Sequence, residues 1–263
     1  MPFTPSHAIV ALPFVRTPLI PAAIAIGAMT PDLPLFVRHT PVTYLGTHDP
    51  RWLPATALLA FVLLLVWRCL LRPAARELSP AALAARLPAA WDDGFRAALR
   101  ETVPRRWGSA LLLLASLAIG VGSHIVWDAF THGGRFGLVL IPALVEPWGP
   151  LRGFTWMQHA SSVLGIVVLA IAGAVWWRRR PTAPVRRVLS PVVRVAWWLS
   201  LPVGLGVAWS WGLVAFGPLH PEFTVAHLAY RVLPPACAVW AVLTLVLCVI
   251  VQGARGRMVR NPV

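Results

Sequence analysis

Five apolar runs constrain this chain more than any other feature. They cover roughly 53–71, 109–130, 157–177, 195–216 and 232–251 of its 263 residues. A helix that crosses a bilayer needs about 20 apolar residues, and each run is about that long. In lipid every backbone N–H and C=O must be satisfied within the segment, so such runs become helices. The expected fold is all-α: a polytopic membrane helix bundle. Composition agrees. Hydrophobic residues make up 58% and charged residues 12%, where a soluble domain carries about 25% charged residues.

Charge sets the expected orientation. The net charge of +14 comes from Arg alone, since the chain has no Lys. The connection 72–108 carries Arg72, Arg76, Arg86, Arg96, Arg100, Arg105 and Arg106. The connection 178–194 opens "RRRP" and holds six Arg, and the tail holds Arg255, Arg257 and Arg260. The connections 131–156 and 217–231 hold few. Arg-rich connections face the cytoplasm by the positive-inside rule. The C-terminus is then cytoplasmic, and the segment before residue 53 faces outward. High Ala, Arg, Pro and Trp without Lys suggests a GC-rich bacterial genome, hence the bacterial cytoplasmic (inner) membrane. No basic face with interleaved aromatics lies outside the runs, so the expected partner is the lipid bilayer and not nucleic acid.

The remaining organisation is simple. With no internal repeat, residues 1–263 read as one membrane domain. Within 72–108, "PAALAARLPAAWDDGFRAALRETV" reads as cytoplasmic amphipathic helices interrupted by Pro88. Trp52, Trp107, Trp176 and Trp177 sit near span ends, as interfacial aromatics do. Cys69, Cys237 and Cys248 lie inside apolar runs at no ligand spacing and read as small buried hydrophobes. No cleavable signal peptide is expected, because the first positive charge, Arg16, follows the first apolar run.

Residues 1–52 read as an N-terminal short-helix hairpin and an outward loop. "SHAIVALPFV" and "PLIPAAIAIGAM" are too short to span and are separated by Arg16-Thr17-Pro18. One span would carry Arg16 and Pro18 at its middle, at high cost. In a hairpin, Thr4 or Ser6 would cap the first helix and Pro18 would start the second. His7 and Asp32 would then lie at the same end.

The second run ends "GSHIVWDAFTHGG". His124, Asp128 and His132, at i, i+4 and i+8, share one helix stripe just before the Gly133-Gly134 stop. Ionisable groups on a span face the bundle interior. A His–Asp pair that only pins two helices is one explanation. Two imidazoles and a carboxylate also form a ligand set for zinc, manganese or iron. His159, in "WMQHASS", opens the next run at the same outward end, and the connection 133–156 could cover the site. Topology sends His7, Asp32, His124, Asp128, His132 and His159 to one side of the membrane. His39, His48, Asp49, His220 and His227 are on that side too. Loop polarity explains the first three equally well, His220 reads as a loop residue and His227 as interfacial. Arg135 and Arg152 are either surface charge or contacts for an anionic substrate.

The motifs "MPFTPSHAIVALP", "IGAMTPDLPLF", "GSHIVWDAFTH" and "QHASSVLG" resemble a bacterial family of integral membrane proteins known as a domain of unknown function, family 4184. That family is similar to membrane-bound metal-dependent hydrolases, which pair an early Pro-Asp with a later His-x3-Asp. It is more distantly similar to the zinc-dependent phospholipase C and P1 nuclease group. The resemblance implies matched positions at His7, Asp32, His124, Asp128 and His159, with His132 closing the third motif and His48 a looser match. It departs from the soluble enzymes in the closer spacing of the His–Asp–His run and in lacking their N-terminal ligand, which leaves the metal count open.

The expected function is a membrane-bound metal-dependent hydrolase with a divalent ion, zinc before manganese or iron, near the outer interface. Asp32 or Asp128 would serve as ligand or general base, and the substrate would be a phosphoester or lipid-like. The rivals are a transporter or ion conduit, which would spread polar groups through the membrane depth, and a purely structural polar cluster.

Overall fold

The structure is a computed structural model that describes residues 4–38 and 40–260. In chain order, a 3-10 helix at Thr4–Phe14 precedes α1 (Pro21–Met29), and a second 3-10 turn, Thr30–Leu35, follows it. Next come α2 (Tyr44–Thr47) and α3 (Leu53–Val66), which a π turn at Trp67–Leu71 joins to α4 (Arg72–Leu78). The short α5 (Ala81–Ala84) and α6 (Gly94–Thr102) lead into α7 (Trp107–Thr131) and α8 (Phe136–Leu140). A minimal hairpin, β1 (Pro147–Trp148) and antiparallel β2 (Leu151–Arg152), precedes α9 (Gly153–Arg179). The long helices α10 (Pro191–Phe216) and α11 (Val225–Arg260) close the chain.

Among the described residues, five segments are long and apolar enough to cross a membrane: Pro50–Leu78, Trp107–Thr131, Gly153–Arg179, Pro191–Phe216 and Val225–Met258. They correspond to the five runs of the sequence and mark a multi-pass membrane chain. Their surfaces fit that reading, since exposed Leu, Val, Ile and Trp recur along α9, α10 and α11, where lipid is the solvent. The first segment runs further than expected. The helix passes residue 71 through the π turn and stops at Leu78, where Ser79 turns extended ahead of Pro80, as residues before proline do.

The chain divides into two compact units. One comprises Met1–Pro34, Pro41–Leu64 and Val103–Arg180, and the other Leu35–Thr40, Leu65–Thr102 and Pro181–Val263. In the second, α10 and α11 pair where Gly212 admits Val232 and Leu228.

The first unit is built on the contact of α1 with α7, and glycines set its distance. A Cβ at Gly120 would sit 2.3 Å from the Ile24 carbonyl oxygen, and one at Gly27 would sit 2.8 Å from that of Leu117. Only hydrogens therefore separate the two backbones. The second helix starts at Pro21, not Pro18. Ile20 takes the extended conformation required before a proline, and its N–H donates to Ser116 Oγ on α7 at 2.9 Å. Pro21 occupies the first helical position, where a missing N–H costs nothing. On the other side, Gly165 of α9 takes the Ser6 Cβ, which an added Cβ would meet at 2.8 Å.

This contact predicts opposite outcomes for neighbouring glycines. Gly120→Val should lower thermal stability by about 1–3 kcal/mol or more through overpacking. Gly122→Ala, whose Cβ would meet only Leu53 Cδ1 at 3.9 Å, should not. Melting curves of the detergent-solubilised variants compare the two.

Candidate metal centre

Three elements of the first unit deliver the site. The 3-10 form of Thr4–Phe14 has about three residues per turn, so Thr4 and His7 stack on one face. Thr4 Oγ1 donates to Asp32 Oδ2 at 2.6 Å instead of capping its own helix. His7 Nε2 lies 3.9 Å from Asp128 Oδ1, and its ring stacks on His124 with centroids 4.1 Å apart. The hairpin thus brings His7 and Asp32 to the same end, as its connectivity requires. On α7, the i, i+4 spacing sets His124 Nε2 3.5 Å from Asp128 Oδ2.

The third contribution comes from the loop before α3. Thr47 Oγ1 donates to the Pro31 carbonyl at 2.7 Å, tying α2 to the turn that carries Asp32. That places the next residue, His48, in the cluster. His48 Nε2 is 3.1 Å from His124 Nε2, 3.3 Å from Asp128 Oδ2 and 3.8 Å from Asp32 Oδ1. His124 Nε2 is 3.7 Å from Asp32 Oδ1. All four residues are at most 3% exposed, and one donor atom from each lies within 4.8 Å of every other.

The hydrogen bonds around the imidazoles orient both rings. His124 Nδ1 lies 2.7 Å from the Ala28 carbonyl oxygen, and His48 Nδ1 lies 2.8 Å from that of Tyr44. A carbonyl only accepts, so each Nδ1 carries a proton, and in the neutral imidazole Nε2 presents a lone pair. Two lone pairs then face each other at 3.1 Å with two carboxylates beside them. With both imidazoles neutral that arrangement is repulsive, and a metal ion or a shared proton among the four atoms relieves it. The Asp32 and Asp128 Oδ1 atoms and His7 Nε2 have no hydrogen-bond partner although buried, and orphaned buried polar atoms are costly. A tetrahedral ion with bonds of about 2.0–2.1 Å spaces its ligand atoms about 3.3–3.4 Å apart. The five separations that involve an imidazole, 3.1–3.8 Å, fall around that figure. The Asp/His/His/Asp group can hold a metal ion. Backbone carbonyls that fix the ligand tautomers complete the arrangement expected of a metal site.

The chain's family is decided by a match that covers nearly all of it. The model of a domain of unknown function (DUF4184) matches residues 1–254. The chain belongs to this family. No curated protein and no solved structure matches it. The match spans the His7, Asp32, His124 and His159 motifs of this DUF4184 chain, and it also covers the His48 loop.

The remaining expected residues occupy varied places. His132 is the C-cap of α7. Its Nδ1 is 3.3 Å from Asp128 Oδ2, and its Nε2 is 3.3 Å from the Gln158 side-chain amide. Gln158 is buried, whereas the next residue, His159, is exposed. The turn that opens α9 therefore reaches the cluster through Gln158. Asp49 caps the 3-10 turn Pro50–Trp52 and pairs with exposed Arg51. His227 Nδ1 accepts from the Thr224 N–H in the second unit, where the backbone of His220 bridges to Phe223. His39 lies outside the described residues. Sequence reasoning missed Tyr44, whose hydroxyl is 3.5 Å from Asp128 Oδ2. Burial, then the Asp128 carboxylate, push its phenol above the ordinary range, so it stays a donor. The signal was its position four residues before His48, one helical turn away.

The connection 133–156 is folded, with α8 tight against α7 where a Cβ on Gly137 would meet the Ala129 carbonyl at 2.5 Å. Beside it opens a cavity of about 380 Å³ whose lining includes His48, Asp128, Leu45, Phe136, Arg51 and Arg135. Arg152, the other arginine of this connection, is exposed and precedes α9.

Burial, then the adjacent His124, lower the His7 imidazole from 6.5 to about 4, so His7 is neutral at pH 7. Between those values the unfolded chain takes up a proton that the folded chain resists. This part of the stability is complete above pH 6.5 and is lost as pH falls toward 4. Metal-free protein should lose apparent melting temperature over that window, and His7→Gln should lose less. Equal losses would assign the pH dependence to other groups.

Proposed function

We propose that this chain is a membrane-bound metal-dependent hydrolase. Its divalent ion would be held by Asp32, His48, His124 and Asp128, and its substrate would be a phosphoester or a related lipid-like anion. The observation that carries the reading is the pair of buried Nε2 atoms at 3.1 Å, each imidazole anchored through Nδ1 to a backbone carbonyl. The donor set of two nitrogens and two oxygens suits zinc, with manganese or iron as alternatives. When bound, such an ion supplies Lewis acidity, polarising a phosphoryl or acyl group and making water acidic near neutral pH.

The chain's own residues have separable roles. The His48 and His124 tautomers are set before any ligand arrives. Asp128 offers Oδ2 to the cluster and leaves Oδ1 beside His7, so it can hold an ion and orient a water at once. Asp32 spends Oδ2 on Thr4 and keeps Oδ1 for the centre. Either carboxylate could take the water's proton. Tyr44 donates to Asp128, and His132 and His7 flank that carboxylate as further ligands or water contacts. His159 belongs to the site only if it turns inward. The cavity wall formed by His48 and Asp128 continues to Arg135, which would meet an anionic group. Its volume of about 380 Å³ lies in the usual range for ligand sites.

Arginine placement supports a cytoplasmic C-terminus and a site at the outer face of a bacterial inner membrane. The site would lie at the end of Trp107–Thr131 and the starts of Pro50–Leu78 and Gly153–Arg179.

Metal analysis and activity test the reading together. Purified wild-type protein should hold a divalent ion and cleave a generic phosphodiester, and chelation should abolish cleavage. His48→Ala and Asp128→Asn should lose the metal and at least 100-fold in rate, on the order of the loss expected for a metal site, and His159→Ala should keep the metal. Metal without hydrolysis, together with ion flux in liposomes, would favour a conduit. Equal, negligible metal in wild type and variants would remove the site itself.

A further inference from the structure

The second unit holds a polar arrangement at the end of α4. Glu77 is fully buried. Its carboxylate accepts from the backbone N–H groups of Val188 at 3.0 Å and Leu189 at 3.1 Å. The Arg194 and Arg255 guanidiniums lie 3.7 and 3.5 Å from it. Arg255 also pairs with Asp92 at 2.8 Å, and Arg76 pairs with the same carboxylate. Arg187 donates to the carbonyls of Glu77 and Ser79 at 2.6 and 2.9 Å, closing the C-terminal end of α4. Glu77 and Asp92 thus pair with three guanidiniums, while Arg187 stands beside them on backbone carbonyls and Arg194 also donates to the Leu189 carbonyl at 2.6 Å.

The surplus positive charge borders a cavity. Arg187 and Arg194 line a space of about 280 Å³ together with Pro80, Val195 and Trp198. The Trp198 indole N–H donates to the Leu78 carbonyl at 2.8 Å, which fixes the half-exposed ring at the rim. Depth follows from the chain. The membrane segment begins at Pro191, so Arg187 precedes it, Arg194 lies in its first turn and Trp198 in its second. That order matches the layering of a membrane interface, with cations at the phosphate level and tryptophan just below. Further down α10, the stripe Val195, Trp198 and Leu199 is 51–56% exposed.

We propose that Arg187 and Arg194 bind the phosphate of an anionic phospholipid, with its acyl chain against Val195 and Leu199. Guanidinium is the cation best matched to phosphate oxygens, and basic pockets beside membrane helices take anionic headgroups. A soluble phosphate shares this chemistry, but the adjoining apolar stripe favours the lipid.

The test uses full-length protein in neutral detergent, melted with phosphatidylglycerol, phosphatidylcholine or inorganic phosphate. Phosphatidylglycerol should raise the melting temperature by about 4 °C or more over phosphatidylcholine at saturation. Arg194→Gln should lose that difference, and Arg257→Gln, at an exposed position, should keep it. Both Arg187 and Arg194 also hold backbone carbonyls, so each melting shift is read against that variant's own lipid-free melting temperature. Native mass spectrometry of wild type with an equimolar lipid mixture gives a readout that needs no variant, and one retained phosphatidylglycerol is expected. Equal responses to the two lipids, or an unchanged preference in Arg194→Gln, would overturn the site. Stabilisation by inorganic phosphate equal to that by phosphatidylglycerol would overturn the lipid assignment.

Discussion

The backbone approach of α1 to α7 at Gly27 and Gly120 is the constraint on which the first unit depends. A Cβ at Gly120 would lie 2.3 Å from the Ile24 oxygen, so no other residue permits the contact. The approach has a direct chemical result. It carries the Ala28 carbonyl to within 2.7 Å of His124 Nδ1, which sets the tautomer and frees Nε2. Four residues further along the hairpin, Asp32 reaches the same point. Helix packing and ligand chemistry are therefore one arrangement.

Around that contact, a second chain of dependence runs through short polar links. Thr47 bonds the Pro31 carbonyl, Thr4 bonds Asp32, and Tyr44 supplies both a carbonyl to His48 and a hydroxyl to Asp128. Each satisfies a group that burial would otherwise penalise. Three groups escape this pattern, the Oδ1 atoms of Asp32 and Asp128 and Nε2 of His7. The Asp32 Oδ1 lies 3.7–3.8 Å from His124 and His48 Nε2, and His7 Nε2 lies 3.9 Å from Asp128 Oδ1, so a bound ion or water beside them would satisfy these orphans.

Much of this was legible in the sequence because it rests on periodicity. The five spans follow from run length. The stripe of His124 and Asp128 follows from i, i+4 spacing, and the placing of His7 and Asp32 at one end follows from a hairpin too short to span. What was hidden depended on single bonds. His48 sits in a loop, and only the Thr47–Pro31 bond shows that the loop turns inward. Gln158 and His159 are adjacent, so a helix phase of one residue decides which is buried, and "WMQHASS" carries no sign of that phase. Pro18 and Pro21 are both good helix starters. Ser116, nearly a hundred residues away, captures the Ile20 N–H and fixes the later one.

In the proposed centre two imidazoles and two carboxylates would share one ion. X-ray absorption spectroscopy of the zinc-loaded, purified protein reads that coordination directly. The expected spectrum has a nitrogen/oxygen shell at about 2.0–2.1 Å, outer-shell scattering from two imidazoles and no sulfur. A shell of oxygens alone without imidazole scattering, or one containing sulfur, would contradict it.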